Sequence, residues 1–192
     1  MVDKGAGLLT VPAHGDPCLL DALQRLLDRQ SFGRHALLPV HRLDRETSGL
    51  LVFARSPAVA AGLAPQFSAH RVEREYVAVL AGELRDDAGT IRDRLDGKAA
   101  VTHFTVRTRR LGTTAVTIRL GTGRRNQIRR HGAGLGHPVV GDTRFAPELA
   151  RHPDWPLPRL ALHARVLGFR HPVLKQALRF EAPLPEAFAP FL

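Results

Sequence analysis

The sequence predicts an α+β fold in which strands outnumber helices. Helical spacing of apolar residues occurs in two early segments, whereas runs rich in β-branched and aromatic residues recur from residue 49 to residue 180. Several of these runs follow one another with only a short turn between them, which is typical of antiparallel hairpins. We therefore expect a largely antiparallel sheet with few helices, not a doubly wound parallel sheet.

Two helices are predicted in the first part of the chain. Apolar residues recur at helical spacing over residues 19–27. A second helix is predicted to begin with Ser56 as N-cap and Pro57 as its first residue. Pro65 lies inside this second pattern, and an interior proline costs about 3 kcal/mol. We therefore expect a kink or an early end at Pro65.

The strand predictions rest on apolar runs and on alternation. Residues 49–54 form a nearly continuous apolar run, which predicts one buried strand. Residues 101–106 and 114–120 alternate apolar with polar side chains and predict a hairpin. Further strands are predicted over residues 76–80, 160–169 and 178–180, and a proline-rich surface loop over residues 153–158.

The charge of the chain favours a nucleic-acid partner. The 192 residues fit one domain, 1–192, and carry 28 Lys and Arg against 18 Asp and Glu, a formal net charge of +10. Nearly all of these cations are arginine, which suits forked phosphate contacts and stacking on bases. An arginine-rich genome would give the same bias, so charge alone leaves RNA or DNA binding open.

The chain contains a single cysteine, Cys18, and its histidines are scattered. This excludes an internal disulfide framework and gives no Cys/His cluster of the kind that binds zinc. The sequence has neither a signal-peptide pattern nor an apolar run long enough to span a bilayer. We expect a cytoplasmic protein without a metal.

The most informative segment runs from His41 to Ala54. It places Asp44 between two arginines, beside a Thr-Ser-Gly turn and directly before the apolar strand. An acid at the mouth of a buried strand, in a positive field, is what a carboxylate nucleophile facing a polyanion needs. The alternative is a solvated loop aspartate that pairs with a neighbouring arginine.

Two further segments carry side chains suited to contacts with nucleic acid. Tyr76 is the only tyrosine and begins a predicted strand, where its ring is able to stack on a base; the alternative is a core tyrosine. Residues 121–131 combine a Gly-x-Gly turn with four arginines, a pattern that favours phosphate contacts. A solvated basic face is the alternative there, and the glycine turn at residues 4–7 has no meaning alone.

Taken in order, these segments resemble the RluA-type family of RNA pseudouridine synthases. The resemblance rests on His-Arg-Leu-Asp-x-x-Thr-Ser-Gly-Leu-Leu, Arg-x-Tyr-x-Ala-x-x-x-Gly, Gly-Arg-x-x-Gln-Ile-Arg and Leu-Gly-His-Pro-Val-Val-Gly-Asp, with Phe-x-His-Pro near the end. It covers nearly the whole chain. It implies a mixed, largely antiparallel sheet flanked by helices and loops, with a central active-site cleft, and isomerisation of uridine in RNA without cofactor or metal.

The resemblance also assigns roles to individual residues. Asp44 matches the catalytic carboxylate, which attacks C1′ or assists formation of a glycal. Tyr76 matches the active-site tyrosine that stacks on the target base, and Ile128 packs beneath that base. Arg129 matches the arginine that pairs with the acid, and Arg42 matches the one that fills the RNA stack after the uridine has left it.

The RNA itself is expected to be an rRNA or tRNA stem-loop. His41, Arg124 and Arg125 are expected to contact the RNA backbone or flanking bases. We expect that no S4-type RNA-binding domain precedes the catalytic portion, that target choice rests on that portion alone, and that the protein is a monomer.

Several departures from the family pattern keep an alternative open. Gly5 replaces the usual proline, Asn126 replaces a histidine, and Gly132 and Gly134 replace larger helical residues, while the strand before the glycine turn is reduced to residues 1–3. These departures favour a catalytically silent paralogue that binds structured RNA. A glycosidase or nuclease is disfavoured because no second acid stands near Asp44 in an acid/base role.

Overall fold

The computed structural model describes residues 1–13, 15–29, 36–156 and 158–192. These residues form ten strands, three α-helices and a C-terminal 3-10 helix, so the predicted α+β class is confirmed. The helices are α1 (Leu19–Arg29), α2 (Pro57–Ser68) and α3 (Gln127–Gly134), and the 3-10 helix is Glu186–Phe191. The strands are β1 (Val2–Lys4), β2 (Leu38–Pro39), β3 (Ser48–Leu51), β4 (Phe53–Ala54), β5 (Glu73–Ala81), β6 (Ala88–Leu95), β7 (Lys98–Arg110), β8 (Thr113–Leu120), β9 (Leu162–Arg170) and β10 (Ala177–Glu181).

The chain divides into two compact units. The first comprises residues 1–73 and 166–182, and the second comprises residues 74–165 and 183–192. The strand pairs within the described part of each unit are antiparallel, as the sequence predicts. The expectation that residues 1–192 act as a single catalytic domain stays a prediction.

In the first unit, α2 packs its apolar face on a buried cluster. Leu63 and Phe67 of α2 are 2% and 6% exposed. The rest of this buried cluster comes from strands and the segment that follows β10: Leu50, Val52, Ala54, Leu167, Phe169 and Ala182. Burial of these apolar side chains stabilises this unit. The helix begins as predicted, because the Ser56 side chain accepts a hydrogen bond from the Val59 amide.

The expected early end of α2 at Pro65 is wrong, because the helix continues to Ser68. Packing of Leu63 and Phe67 on the cluster outweighs the local cost of the proline. Gly62 has a steric reason of its own: a Cβ there would lie 2.4 Å from Cβ of Pro172. The residue therefore permits close approach of α2 to the turn between β9 and β10.

The predicted strand over residues 49–54 is divided in two. β3 pairs with β1, whereas β4 pairs with β2 in a separate two-stranded sheet. Val52 lies between them, and its amide donates to Nε2 of His41 instead of to a strand. The continuous apolar run gave no sign of this change of partner because all of its residues are buried.

In the second unit, three strands of the sheet follow one another as hairpins. The predicted hairpin is confirmed as β7 and β8, joined at Leu111 and Gly112, which both have positive φ. β6 pairs with β7 across a second two-residue turn, and β5 pairs with β8. The predicted strands over residues 76–80, 160–169 and 178–180 are present as β5, β9 and β10.

The proline-rich segment is only in part the surface loop that the sequence predicts. Trp155 is buried, and its ring meets Phe188 and Phe191 edge to face, with centroids 5.3 and 5.5 Å apart. The segment therefore anchors the 3-10 helix in the second unit.

No helix among the described residues is long and apolar enough to cross a membrane. The same part of the chain contains no group of three or more His, Cys, Asp or Glu side chains arranged as a metal site. Cys18 is buried as a free thiol.

Candidate active site

Asp44 lies in the loop that leads into β3, and the residue before it is fixed by a buried threonine. The Thr10 hydroxyl donates to the Leu43 carbonyl at 2.9 Å and accepts from the Leu43 amide at 3.2 Å. Thr10 is 2% exposed and Leu43 is 5% exposed. Both polar groups of the Leu43 backbone are thus satisfied by one side chain, which holds the chain rigidly just before Asp44.

The residue after Asp44 is fixed by Lys4. The Lys4 ammonium donates to the Arg45 carbonyl at 3.0 Å, and also to the carbonyls of Gly5 and Leu8 at 2.9 and 2.8 Å. The amide of Gly7 donates to the same Arg45 carbonyl at 2.8 Å. Lys4 is 1% exposed, so this ammonium is fully desolvated and its three donors are directed at backbone oxygens.

Lys4 and Thr10 are residues that the sequence reasoning missed. The glycine turn at residues 4–7 carried no meaning by itself, yet it brings Lys4 and Gly7 to the Arg45 carbonyl. A usable signal was present, since a chain with only three lysines places one of them directly before this turn.

The arginines on either side of Asp44 differ in their surroundings. Arg45 forms an ion pair with Asp16, which directs its side chain to that carboxylate. Arg42 is exposed. The loop is closed by a hydrogen bond from the Thr47 amide to the Asp44 carbonyl, at 3.2 Å.

His41 is half-buried in the first unit. Its ring stacks on Phe67 with a centroid distance of 4.3 Å and an interplanar angle of 10°. Nε2 accepts from the Val52 amide at 3.1 Å, so in this geometry that nitrogen carries no proton. His41 therefore positions the start of the Asp44 loop, and its predicted contact with RNA stays a prediction.

In the second unit, Tyr76 lies on β5 opposite Ile118 of β8 and is 9% exposed. The neighbouring Glu75 carboxylate forms ion pairs with Arg119 at 3.0 Å and with Arg165 at 3.7 Å. Ile128 is 6% exposed, on the first turn of α3. A tyrosine embedded to this degree has a fixed ring plane, which stacking on a base requires.

Arg129 forms a buried, bidentate ion pair with Asp142. Nε donates to Oδ2 at 2.7 Å and Nη2 to Oδ1 at 2.8 Å, and the two side chains are 4% and 0% exposed. Burial favours the protonated carboxyl, but hydrogen bonds from Arg129 and from the amides of Arg144 and Phe145 hold the pKa of Asp142 below its usual value. The guanidinium lies 5.1 Å from the ring centroid of Phe145.

Asp142 is a second residue that the sequence reasoning missed, although it ends the Leu-Gly-His-Pro-Val-Val-Gly-Asp motif. The sequence predicted Asp44 as the partner of Arg129, and the structure adds Asp142 as a partner. Because Asp142 fixes two of the guanidinium nitrogens, it sets the direction in which the rest of the group faces.

The turn before α3 is organised by Gln127. Its Oε1 accepts from the Thr122 hydroxyl at 2.8 Å and from the Arg124 amide at 3.0 Å, while Nε2 donates to the Val101 carbonyl at 2.9 Å. Nε of Arg124 donates to the Ala99 carbonyl at 3.0 Å, whereas Arg125 is exposed. The side chains of Gln127 and Arg124 therefore hold the Gly-x-Gly turn at residues 121–123 against β7.

Two departures from the family pattern have structural reasons. Asn126 has φ of 53°, in the left-handed region that asparagine tolerates better than most residues. A Cβ on Gly132 would lie 2.9 Å from the His137 carbonyl oxygen, so glycine allows that segment to approach α3. Gly134 differs, since its Cβ would meet no atom within 4 Å.

The predicted site residues fall into two sets. His41, Arg42 and Asp44 belong to the first unit, and Tyr76, Arg124, Arg125, Ile128 and Arg129 belong to the second. Buried hydrogen bonds hold Leu43, beside Asp44, in the first unit and Arg129 in the second. That the two sets act on one substrate stays a prediction.

Comparison with known proteins gives consistent results. Residues 1–133 match the model of the RNA pseudouridylate synthase family. The chain is 35% identical to the dual-specificity RNA pseudouridine synthase RluA of Pasteurella multocida, over 95% of this chain and 88% of that protein. It is 40% identical to ribosomal large subunit pseudouridine synthase D of Xanthomonas campestris, over 97% of this chain, and spans 63% of that protein's length.

A solved structure shares the fold. Human RNA pseudouridylate synthase domain containing 4 superposes with a TM-score of 0.79 at 25% identity, covering 97% of this chain and 85% of that one. The family match and the shared fold thus define an RNA-modifying isomerase. The chain belongs to the RNA pseudouridylate synthase family, whose members isomerise uridine in RNA.

Proposed function

We propose that Asp44 is the catalytic carboxylate of this uridine isomerase. The observation that carries the proposal is the anchoring of the Asp44 loop on both sides, by Thr10 at Leu43 and by Lys4 and Gly7 at Arg45. A nucleophile has to be held within a fraction of an ångström of its productive position. A solvated surface aspartate would need none of these buried bonds.

The proposed reaction breaks the N1–C1′ bond and forms a C5–C1′ bond, so that the uracil turns within the site. The proton on C5 passes to water and N1 takes up a proton, so atoms balance without an oxidant, a reductant or another cofactor. Two routes begin at the same carboxylate: Asp44 forms a transient ester bond to C1′, or it removes a proton from C2′ and gives a glycal.

The second unit supplies the remaining proposed roles. Tyr76 stacks on the target base and Ile128 packs beneath it. Arg129 pairs with Asp44 through the guanidinium edge that faces away from Asp142. The buried Asp142 supports this role because it fixes the direction of the guanidinium.

RNA binding is proposed to involve Arg42, His41, Arg124 and Arg125. Arg42 fills the gap in the RNA stack, which offsets part of the few kcal/mol that base extrusion costs. The exposure of Arg42 and Arg125 suits direct contact, whereas Arg124 is tied to Ala99 through Nε. His41 is proposed to contact the RNA backbone or a flanking base, and its contacts with Phe67 and Val52 hold it at the start of the Asp44 loop.

We also propose that the substrate is a stem-loop of rRNA or tRNA. The names of two relatives support this choice, one a dual-specificity RNA enzyme and the other a ribosomal large subunit enzyme. Incubation with unmodified tRNA and rRNA transcripts, followed by carbodiimide treatment and primer extension, maps the modified position. Absence of new sites on every RNA would contradict catalysis on these substrates.

The role of Asp44 is tested with Asp44→Asn, which keeps the size of the side chain and removes its charge. Release of tritium from C5-labelled uridine in the mapped RNA is expected to slow by roughly 10³-fold or more. Asp21→Asn, an exposed acid on α1, serves as control and should keep wild-type activity. Equal tritium release by the Asp44 variant and the wild type would show that another group performs the step.

The silent-paralogue alternative loses much of its support. Asn126 and Gly132 are explained by backbone conformation and close approach, and neither indicates decay of the site. The monomeric state and a cytoplasmic location stay predictions.

A further inference from the structure

A groove in the first unit lies outside the segment that carries Asp44. It has a volume of about 520 Å³ and is formed between α2 and the turn that joins β9 to β10. Its charged lining consists of Arg71, Arg170 and Lys175, together with His171, and no carboxylate lines it among the residues that the structure describes. The three cations are exposed. Such a surface repels other basic surfaces and attracts phosphates.

The turn from residue 171 to residue 176 is rigid. The Gln66 side chain bonds both backbone groups of Arg170, accepting from its amide at 2.9 Å and donating to its carbonyl at 2.8 Å. Nδ1 of His171 accepts from the amides of Val173 and Leu174 at 3.3 and 3.1 Å. Together with the close approach of Pro172 to Gly62, these bonds fix the turn against α2.

This rigid turn presents two apolar side chains to solvent. Val173 and Leu174 are 64% and 60% exposed, the two highest values among the exposed large hydrophobic residues of the described chain. Lys175 follows them at φ of 57°, a conformation that costs a non-glycine residue energy. Because Val173 and Leu174 remain largely exposed, their side chains add little to the folding free energy of the unit. A surface that is held rigid and yet exposes apolar groups beside cations is typical of a binding site.

We propose that this groove binds the phosphodiester backbone of the RNA substrate away from the target uridine. Arg71 and Lys175 contact phosphate oxygens, and Val173 and Leu174 pack against the neighbouring riboses. The inference rests on the action of the enzyme on RNA. The occupant is assigned by charge, because three cations with no carboxylate among the described lining residues match a polyanion and repel a basic surface.

The proposal gives a structural role to the Phe-x-His-Pro motif, residues 169–172, in shaping the groove. His171 and Pro172 shape the turn, and Arg170 stiffens it by donating from Nε to the Lys175 carbonyl at 2.9 Å. Arg170 is thus a positioning residue, and Arg71 and Lys175 are the residues to alter. Neither of these two belongs to the proposed catalytic set.

The test compares two double variants that each remove two positive charges. Arg71→Gln with Lys175→Asn changes the groove, and asparagine tolerates the left-handed conformation at position 175. Arg25→Gln with Arg29→Gln changes exposed arginines of α1 and serves as the matched control. Binding of a labelled uridine-containing RNA hairpin, with a duplex stem of two helical turns, is measured by fluorescence anisotropy over a range of KCl concentrations.

The groove variant is expected to lower the slope of log affinity against log salt by about 1 to 2, because each phosphate contact contributes about 0.7 for single strands to about 0.9 for duplex DNA. The control should lower it by less than half of that amount. Equal salt slopes for the groove variant and the control would overturn the proposal. A protein partner would then be the alternative occupant of the groove. Val173→Ser with Leu174→Ser should weaken binding several-fold without altering the slope, and unchanged affinity would remove these residues from the contact.

Failure of the groove proposal is distinguishable from failure of the catalytic one. The experiment measures binding alone, so loss of the slope effect leaves the tritium release by the wild type unaffected. Conversely, Asp44→Asn should bind the hairpin with the wild-type salt slope whether or not the groove contributes.

Discussion

At the residue scale, Lys4 is one of the residues that hold the Asp44 loop in place. Lys4 is buried and satisfies the carbonyls of Gly5, Leu8 and Arg45. Replacing Lys4 with Met keeps much of the volume but removes the donor of three partly buried hydrogen bonds to backbone carbonyls, at a cost of about 1–3 kcal/mol. We expect urea unfolding to show this loss and uridine isomerisation to fall further than stability explains.

Lys98→Met is the matched control for Lys4→Met. Lys98 is exposed at the start of β7, so its loss should change neither unfolding nor activity appreciably. A Lys4 variant with wild-type activity and stability would mean that Thr10 and the Gly7 amide hold the Asp44 loop without Lys4.

Two neighbouring arginines of α3 each form an ion pair with an aspartate, and the two pairs differ in burial. Arg129–Asp142 is fully buried, whereas in Arg130–Asp96, at 2.9 Å, the acid is 72% exposed. Asp142→Asn leaves the Arg129 charge buried without its carboxylate and should cost about 3–5 kcal/mol of unfolding free energy. Asp96→Asn, at a position with φ of 52°, should have a far smaller effect, since solvent screens that pair.

Urea denaturation of the two aspartate variants measures the difference directly. Similar losses for both would contradict the view that burial sets the value of the Arg129–Asp142 pair. In activity assays we expect Asp142→Asn to affect kcat more than KM, because Arg129 acts on the reacting group in the proposed mechanism.

At the element scale, α3 contains two glycines, Gly132 and Gly134, whose surroundings differ, so that alanine substitutions at the two positions should have opposite effects on stability. Gly132 faces the His137 carbonyl at a distance that excludes a Cβ, and Gly134 faces open space. Gly132→Ala should destabilise the protein by about 1–3 kcal/mol through overpacking. Gly134→Ala should stabilise it by about 0.5–1 kcal/mol, because alanine reduces the entropy of the unfolded chain and favours the helix.

Thermal and urea unfolding of the two alanine variants should therefore shift in opposite directions. Shifts of the same sign would show that the His137 segment moves away to admit a methyl group. Opposite shifts would also show that, of the two α3 glycines that depart from the family pattern, Gly132 is required by packing and Gly134 is free to change.

Strands with strong local signals were predictable, and those without them were not. The hairpin of β7 and β8 follows from alternation, whereas β6 was missed because it is polar and charged along much of its length. Its signal lay in the turn instead: Asp96 and Gly97 both have positive φ, the pair favoured in two-residue hairpin turns. The division of residues 49–54 had no local signal, because it depends on which strands lie beside them.

The residues that carry chemistry were predictable by type and order, and their supporting residues were not. Asp44, Tyr76 and Arg129 stand in motifs that can be read along the chain. Thr10, Lys4 and Asp142 act through contacts that link residues far apart in sequence, such as Lys4 with Arg45. Sequence periodicity contains no information about such pairs, since it reports only neighbours on one element.

At the scale of the whole molecule, burial of histidine makes stability depend on pH. Desolvation, with a smaller contribution from the positive charges of Arg159 and Arg165, lowers the pKa of His163 from 6.5 to about 4. Burial also lowers the pKa of His131, on α3. Between pH 6.5 and about 4 the unfolded chain binds protons that the native protein does not, so stability falls as pH falls through this window.

A shift of this size at His163 corresponds to a loss of about 3 kcal/mol between neutral pH and pH 4. His163→Gln removes the titrating group and should flatten the dependence of the unfolding free energy on pH, even if the variant is less stable at neutral pH. His103→Gln, which removes an exposed imidazole, is the control. Urea unfolding at a series of pH values measures the slope, and an equal slope in the His163 variant and the wild type would place the acid sensitivity elsewhere in the molecule.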